Sequence, residues 1–480
     1  MVRMLRDEGC EYRWLIPREG GMQVPGVVFG TADIVRDLAG TKALDQVRNV
    51  ACMPGILSAS LAMPDIHEGY GFPIGGVAAF SAKDGVITPG GIGYDINCGV
   101  RVLLSPLELD RARDRLPRLA EALFRKVPSG VGREGALTLS RDEMDEVLSS
   151  GAAWAVRKGY GLPDDLEYCE ENGAMAGADP AAVSDKAFRR GRSEVGTLGG
   201  GNHFIEAGCV SDVYDEEAAK CFGFFPGQVV FWVHSGSRGL GHQVCTEYIG
   251  TMRHAAQKYG LVLPDRQLDS APISSPEGKR YFAAMAAAAN YAWANRQVLT
   301  HLVREVVVEV FPEVKGHESL RLLYDVAHNI GKIEQHQVGG REMDVLVHRK
   351  GATRAFPAGH PHVPAKYRAV GQPVLIPGDM GRASYILRGT PQGMALSFGS
   401  ACHGAGRARS RTQAKRTLAA DDVLRDLRER GVFVKAASLK GLVEEAPAAY
   451  KDVDEVVAAT SGAGLATTVA KLRPLAVIKG

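Results

Sequence analysis

Nowhere in this 480-residue sequence does an apolar run approach the roughly 18 residues of a membrane span; the nearest, AAMAAAANYAWA from Ala283, reads as alanine-rich helix. The opening MVRMLRDEGC lacks the apolar core of a secretory signal peptide. An excess of one charge is also missing: 57 Lys and Arg face 55 Asp and Glu, for a net +2, so any basic surface must be a local patch. Cysteines are sparse and far apart (Cys10, Cys52, Cys98, Cys169, Cys209, Cys221, Cys245, Cys402), which fits a reducing cytoplasm with most thiols as small buried residues. No internal repeat and no low-complexity linker divides the chain.

What is present is ample core material, 45% hydrophobic, in an alternation of short apolar strands and helices. This predicts an α+β fold, with mixed β-sheets and surrounding helices. Strands are expected at 74–80, 100–104, 229–233, 320–326, 343–347 and 394–398. Helices are expected at 107–125, 140–158, 244–259, about 275–310, 420–430 and 453–472. The long helix is the best signalled, with Ser274 three residues before Glu277, Pro276 in the first turn and Pro312 after the last apolar turn. The polar stretch 161–185 reads as a surface excursion. Length alone suggests about three domains, but the candidate ligands run from 95 to 403, so a single unit over 1–480 is expected.

Several strand-like runs end in a histidine followed by small residues, which places chemistry on strand-end loops. In GGIGYDINCGVR, Asp95 and Cys98 stand three apart among glycines; His203 lies in GGGNHFIEAG, His234 in VVFWVHSGSRGLGHQV and His328 in LRLLYDVAHN. One oxygen, one sulfur and three imidazoles make a metal site, and the soft thiolate alone suggests zinc. His403, in SFGSACHGAGR, reads either as a fourth metal histidine or as a nucleophile. Its loop glycines admit a phosphate, Arg407 can neutralise charge, and a neutral imidazole can take a nucleotide α-phosphorus. Arg192, Arg238, Arg349, Lys350, Arg354, Arg409 and Arg411 are further cationic candidates, and HRKGATRA at 348–355 reads as a phosphate-contacting loop. In MPDIHEGYGFPIGG, Asp65 and His67 mark either a loop serving the site or a structural turn. SGSRGLG lacks the βαβ setting of a dinucleotide fingerprint, so a Rossmann reading is discarded.

Taken in order, GGIGYDINCGVR, GGGNHFIE, HSGSRGLGH, DVAHN, HRKGATRA and CHGAGR resemble the RtcB-type RNA ligases, the GTP-dependent tRNA-splicing and RNA-repair ligases, from about Asp65 to the terminal VIKG. The resemblance implies two manganese ions held by Asp95, Cys98, His203, His234 and His328, with the cysteine bridging, and it implies guanylylation of His403. It places Asn202 near the nucleotide phosphates and Glu206, Ser384, Tyr450 and Lys479 around the guanine. The implied reaction joins a 3′-phosphate or 2′,3′-cyclic-phosphate RNA end to a 5′-hydroxyl end at the expense of GTP, with the helper archease in parts of the family; a cytoplasmic monomer is the default expectation. Two other readings remain: a dinuclear metal phosphoesterase acting on RNA ends, and a catalytically silent protein that binds them.

Overall fold

A computed structural model describes residues 2–130 and 132–480. The chain first lays down β1 (Leu5–Asp7), β2 (Cys10–Ile16), β3 (Gly26–Phe29), β4 (Ile56–His67), β5 (Ile74–Ser81), β6 (Val86–Ile87) and β7 (Gly99–Glu108). The middle of the chain adds β8 (Phe204–Val213), β9 (Gln228–Ser235), β10 (Ala271–Pro272), β11 (Arg321–Ala327), β12 (Asn329–Val338), β13 (Arg341–Lys350) and β14 (Ala352–Arg354). The last are β15 (Pro373–Ile376), β16 (Ser384–Gly389), β17 (Ser400–Cys402), β18 (Phe433–Ala436) and β19 (Ala466–Lys479).

Two large mixed sheets result, so the fold is α+β. One runs β1-β2-β3-β4-β5-β13-β12; the other runs β11-β7-β9-β8-β19-β16-β15, with β18 alongside β19. Most strands of both sheets are buried on both faces, which is why they read as continuous apolar runs such as VVFWV in β9. Among the described residues, no helix is long and apolar enough to cross a membrane.

The helix Pro276–Val310 is enclosed along most of its length, burying Asn290, Asn295, Arg296, Gln297 and Arg304 together with its alanines. Its N-cap is Ser275, one residue beyond the expected Ser274; the Ser275 hydroxyl accepts from Gly278 N–H at 3.1 Å, and Pro276 takes the first helical position. Small alanines let other helices approach closely, and the polar side chains are there to be used by their surroundings.

Several sequence expectations need correction. The expected helix 453–472 stops at Gly462; Gly464, at φ 74°, reverses the chain, and β19 begins at Ala466 between β8 and β16. Residues 394–398 are not a strand but the end of the helix Pro391–Ser397, capped by the Thr390 hydroxyl. The helix expected at 107–125 is instead the end of β7 and two short helical turns, with a true helix only from Leu116 to Lys126, where Pro117 suits a first turn. The 140–158 segment breaks at Gly151 (φ 55°), where a Cβ would lie 2.1 Å from Gly173 O. The 244–259 helix starts earlier, as Arg238–Lys258. Finally, 161–185 is no surface excursion, because Asp165 and Glu170 are buried and pair with Arg304 and Lys332.

Candidate active site

Register explains how distant residues meet. Across the neighbouring strands β11, β7, β9 and β8, the same sheet end carries His328 just after β11, Cys98 just before β7, His234 one residue from the end of β9, and His203 just before β8. Strand spacing of about 4.8 Å then delivers one donor per strand to a common row. Cys98 Sγ lies 3.2 Å from His203 Nε2 and 3.3 Å from His234 Nε2, and His234 Nε2 lies 3.4 Å from His328 Nε2. Asp95, on the turn before β7, places Oδ2 3.0 Å from His203 Nε2. The donors form two trios, Cys98–His234–His328 and Asp95–Cys98–His203, with Cys98 common to both.

These residues fit a pair of divalent ions. Donor separations of this size are the edges of coordination polyhedra whose bonds run about 2.0–2.3 Å. The His234 and His328 side chains make polar contacts only within the cluster, and their Nδ1 atoms are buried without partners. Burial, reinforced by neighbouring histidines, holds both rings well below the usual imidazole range, so they are neutral donors. Burial and the Asp95 carboxylate push the Cys98 thiol well up, so a thiolate there calls for a cation beside it. Burial opposes charge on Asp95, but the His203 contact and the Arg238 guanidinium outweigh it and hold the carboxyl well below its usual range.

One buried cation ties the ligand-bearing segments together. Arg296, fully buried, donates to Asn97 O (2.7 Å), Asn97 Oδ1 (3.0 Å) and Ser235 O (3.1 Å), and pairs with Asp325 at 2.7 and 2.8 Å. Those contacts reach the turn between Asp95 and Cys98, the residue after His234, and the strand leading to His328. Gly99 is required beside it, since a Cβ there would lie 2.9 Å from the Arg296 guanidinium carbon. On the opposite side Arg238, in the left-handed region at φ 53°, places its guanidinium 2.7 Å from His203 Nδ1.

His403 follows β17, which pairs with β14, and enters from the side of the first sheet. Its ring centroid is 4.8 Å from that of His328. Asp65, fully buried in β4, receives both the His403 backbone N–H (3.0 Å) and ring Nδ1 (2.5 Å). With the Nδ1 proton held there, Nε2 is left as the nitrogen with a free lone pair. His67 is turned back on Asp65 O at 3.0 Å and is not among the donors.

A cleft of about 1220 Å³ contains this cluster, and Asn202, Glu206, Ser384, Arg407, Tyr450 and Lys479 also line it. In the β8–β19 register Glu206 faces Val477 and Phe204 faces Lys479, so Glu206 and Lys479 share one face of the sheet. Burial, and then Asp379, lifts Glu206 to about 8, and its Oε1 is buried without a partner. Burial lowers Lys479 to about 8 against the pull of Glu445. Tyr450 donates to Glu445, Arg407 spans Glu445 at 3.2 Å and Glu444 O at 2.7 Å, and the Ser384 hydroxyl accepts from Gly378 N–H at 3.2 Å.

The cationic candidates divide. Arg238, Lys350, Arg407, Arg409 and Arg411 line the cleft, whereas Arg192, Arg349 and Arg354 do not. HRKGATRA is therefore not a phosphate loop as a whole. It is the end of β13 plus β14, where Arg349 makes paired bonds to Glu334 (2.6 and 2.9 Å) and Arg354, itself buried, bonds Gln372, Tyr324 and the half-buried Glu171. Sequence reasoning missed Arg296 and Asp379 entirely, and singled out Asp65 without its partner.

A family model described as tRNA-splicing ligase RtcB matches residues 46–480. The chain is similar to proteins named tRNA-splicing ligase RtcB from Thermococcus kodakarensis (54% identity, covering 98% of this chain and 97% of the relative) and Archaeoglobus fulgidus (52%, covering 98% of each). It is also similar to one from Mycobacterium bovis named RNA-splicing ligase RtcB (51%, covering 91% of this chain and 100% of the relative).

Proposed function

This chain belongs to the RtcB family of tRNA-splicing ligases and is an RNA ligase, and from that premise we propose that it seals 3′-phosphate or 2′,3′-cyclic-phosphate RNA ends to 5′-hydroxyl ends through a guanylylated His403. The observation that carries the reading is the Asp65–His403 pair, which holds a proton at Nδ1 (2.5 Å) and leaves Nε2 free beside the metal donors. Nε2 attacks the α-phosphorus of GTP, the α–β P–O bond breaks and pyrophosphate leaves; no proton has to be removed from the attacking nitrogen. A cyclic end is first opened by water at its 2′ P–O bond, and the RNA 3′-phosphate oxygen then takes the GMP, breaking the P–N bond. The 5′-hydroxyl oxygen attacks the activated RNA phosphorus, its proton is lost to solvent and GMP departs. A phosphate monoester is a poor electrophile towards an alcohol, and the guanylate supplies the missing leaving group.

Asp95, Cys98, His203, His234 and His328 would hold two manganese ions, which when bound offset charge on the phosphoryl oxygens. Manganese follows from the family, because the sulfur-containing donor set by itself favours zinc. Around the guanine, the Glu206 carboxylate accepts N–H groups while Lys479, Ser384 and Tyr450 close the pocket. Asn202 and Arg407 stand towards the phosphates.

Incubation with manganese and α-labelled GTP tests the reading. The expected result is an acid-labile, alkali-stable protein adduct that disappears in His403→Ala. Absence of an adduct in the native chain would refute the guanylylated-histidine route. Restoration of adduct formation by manganese, and not by zinc, after chelation decides the ion.

A further inference from the structure

Two half-buried tyrosines and an exposed histidine on the cleft wall have no role in the chemistry above. Tyr70 and Tyr94 meet edge to face at 5.7 Å, and Tyr94 stacks on His242 at 5.8 Å with planes 28° apart. All three line the cleft, and Tyr94 directly precedes Asp95. Neither tyrosine belongs to or packs against any of the six apolar clusters, and neither hydroxyl has a hydrogen-bond partner among the described residues. By contrast Tyr248 and Tyr291 are core rings with tethered hydroxyls. The rings are thus held in place without serving the core.

What holds them is a built support. Lys350, buried and without a carboxylate partner, donates to Tyr70 O, to Phe72 O (3.3 Å) and to Gly90 O (3.1 Å), pinning the two loops that carry Tyr70 and Tyr94 to each other. Cations stand at one end of the row: Arg190 and Arg238 line the same cleft as His242, whereas Arg253, on the Tyr70 side, is paired with Asp269 at 3.3 Å. A rigid aromatic row beside guanidinium groups is how proteins hold single-stranded nucleic acid, because every base offers a π-face and every linkage a phosphate.

We propose that Tyr70, Tyr94 and His242 form a stacking platform for unpaired nucleobases at an RNA end, with Arg190 meeting a flanking phosphate. The inference rests on the chain being an RNA ligase and adds that at least one end enters single-stranded, read by stacking and not by base identity. The guanine pocket lies around Glu206 and Lys479, so the platform does not take the base of GTP.

The test compares the native enzyme with Tyr94→Leu, Tyr70→Leu and Tyr94→Phe. Guanylylation by labelled GTP without RNA is expected to be unchanged in all three. Binding of fluorescent 3′-phosphate and 5′-hydroxyl oligonucleotides, each with an ordinary or an abasic terminal nucleotide, is measured by anisotropy. The Leu variants should bind one ordinary strand about 5- to 150-fold more weakly, as expected for loss of one base–aromatic stack. They should lose nothing further when that strand is abasic, whereas the native chain and Tyr94→Phe should. The strand that shows this coupling is the one on the platform. Equal abasic penalties in native and Leu proteins for both strands would overturn the proposal, as would loss of guanylylation in step with loss of RNA binding. Failure of the native chain to form any adduct would count against the ligase reading alone, since the abasic comparison is read by binding.

Discussion

Arg296→Met separates support of the metal donors from general stability. The substitution keeps an apolar side chain of similar length, but leaves Asn97 O and Ser235 O without the donor and removes one of the two arginines from Asp325, which retains Arg101 and Trp293. Breaking a buried ion pair costs about 3–5 kcal/mol. With an unfolding entropy of about 2.1 cal/mol/K per residue, a chain of this length has roughly 1 kcal/mol/K in total, so the melting temperature should fall by about 3–5 °C. Because the lost contacts are those that align the Cys98 turn, the His234 strand and the strand to His328, divalent-ion affinity should fall about 10- to 100-fold. Cobalt titration followed by the thiolate-to-metal absorption band reads that affinity independently of RNA sealing. Arg304→Met is the control: Arg304 is equally buried on the same helix but bonds Asp165 and Leu320 O, away from every donor. It should melt lower yet keep native cobalt affinity. Equal cobalt affinities for Arg296→Met and the native chain would refute the argument.

Two further outcomes are expected. Asp65→Asn should slow single-turnover guanylylation about 10²- to 10⁴-fold with little change in GTP binding, because the carboxylate that fixes the His403 proton at Nδ1 is lost; a native rate would mean that the pair does not orient the nucleophile. For nucleotide binding, Glu206, raised to about 8, is mostly protonated at pH 6–7, while guanine N–H donors favour the carboxylate. Binding then releases a proton, so GTP affinity should rise up to tenfold per pH unit towards pH 8. Above that pH it should fall as Lys479, lowered to about 8, loses its charge. Calorimetric titration should show the rising limb vanish in Glu206→Gln; a rising limb retained in that variant would assign the proton to another group.

The donor residues were legible because each stands in a short glycine-rich or strand-end motif whose conformation is largely local. Their meeting follows from strand order, which local signals do not carry. The segment 453–472 was misread because VDEVVAATSGAGLATTVAKL supports helical spacing at first and alternation later, and only pairing with β8 and β16 decides where one yields to the other. Arg349 and Arg354 read as phosphate ligands because Glu334, Glu170 and Glu171, which neutralise them, lie at a distance along the chain. Arg296 was invisible for the same reason, one charge among several in an alanine-rich helix, whose partner Asp325 belongs to another element.

β19 is an interior strand, bonded to β8 on one edge and β16 on the other. During synthesis the five metal donors and His403 all leave the ribosome before it, while the sheet still gapes between two unsatisfied edges. Until β19 is in place, the cleft lacks Lys479 and the wall on which Glu206 and Lys479 stand is incomplete. Under the proposed reaction, nucleotide loading would therefore await the closing strand.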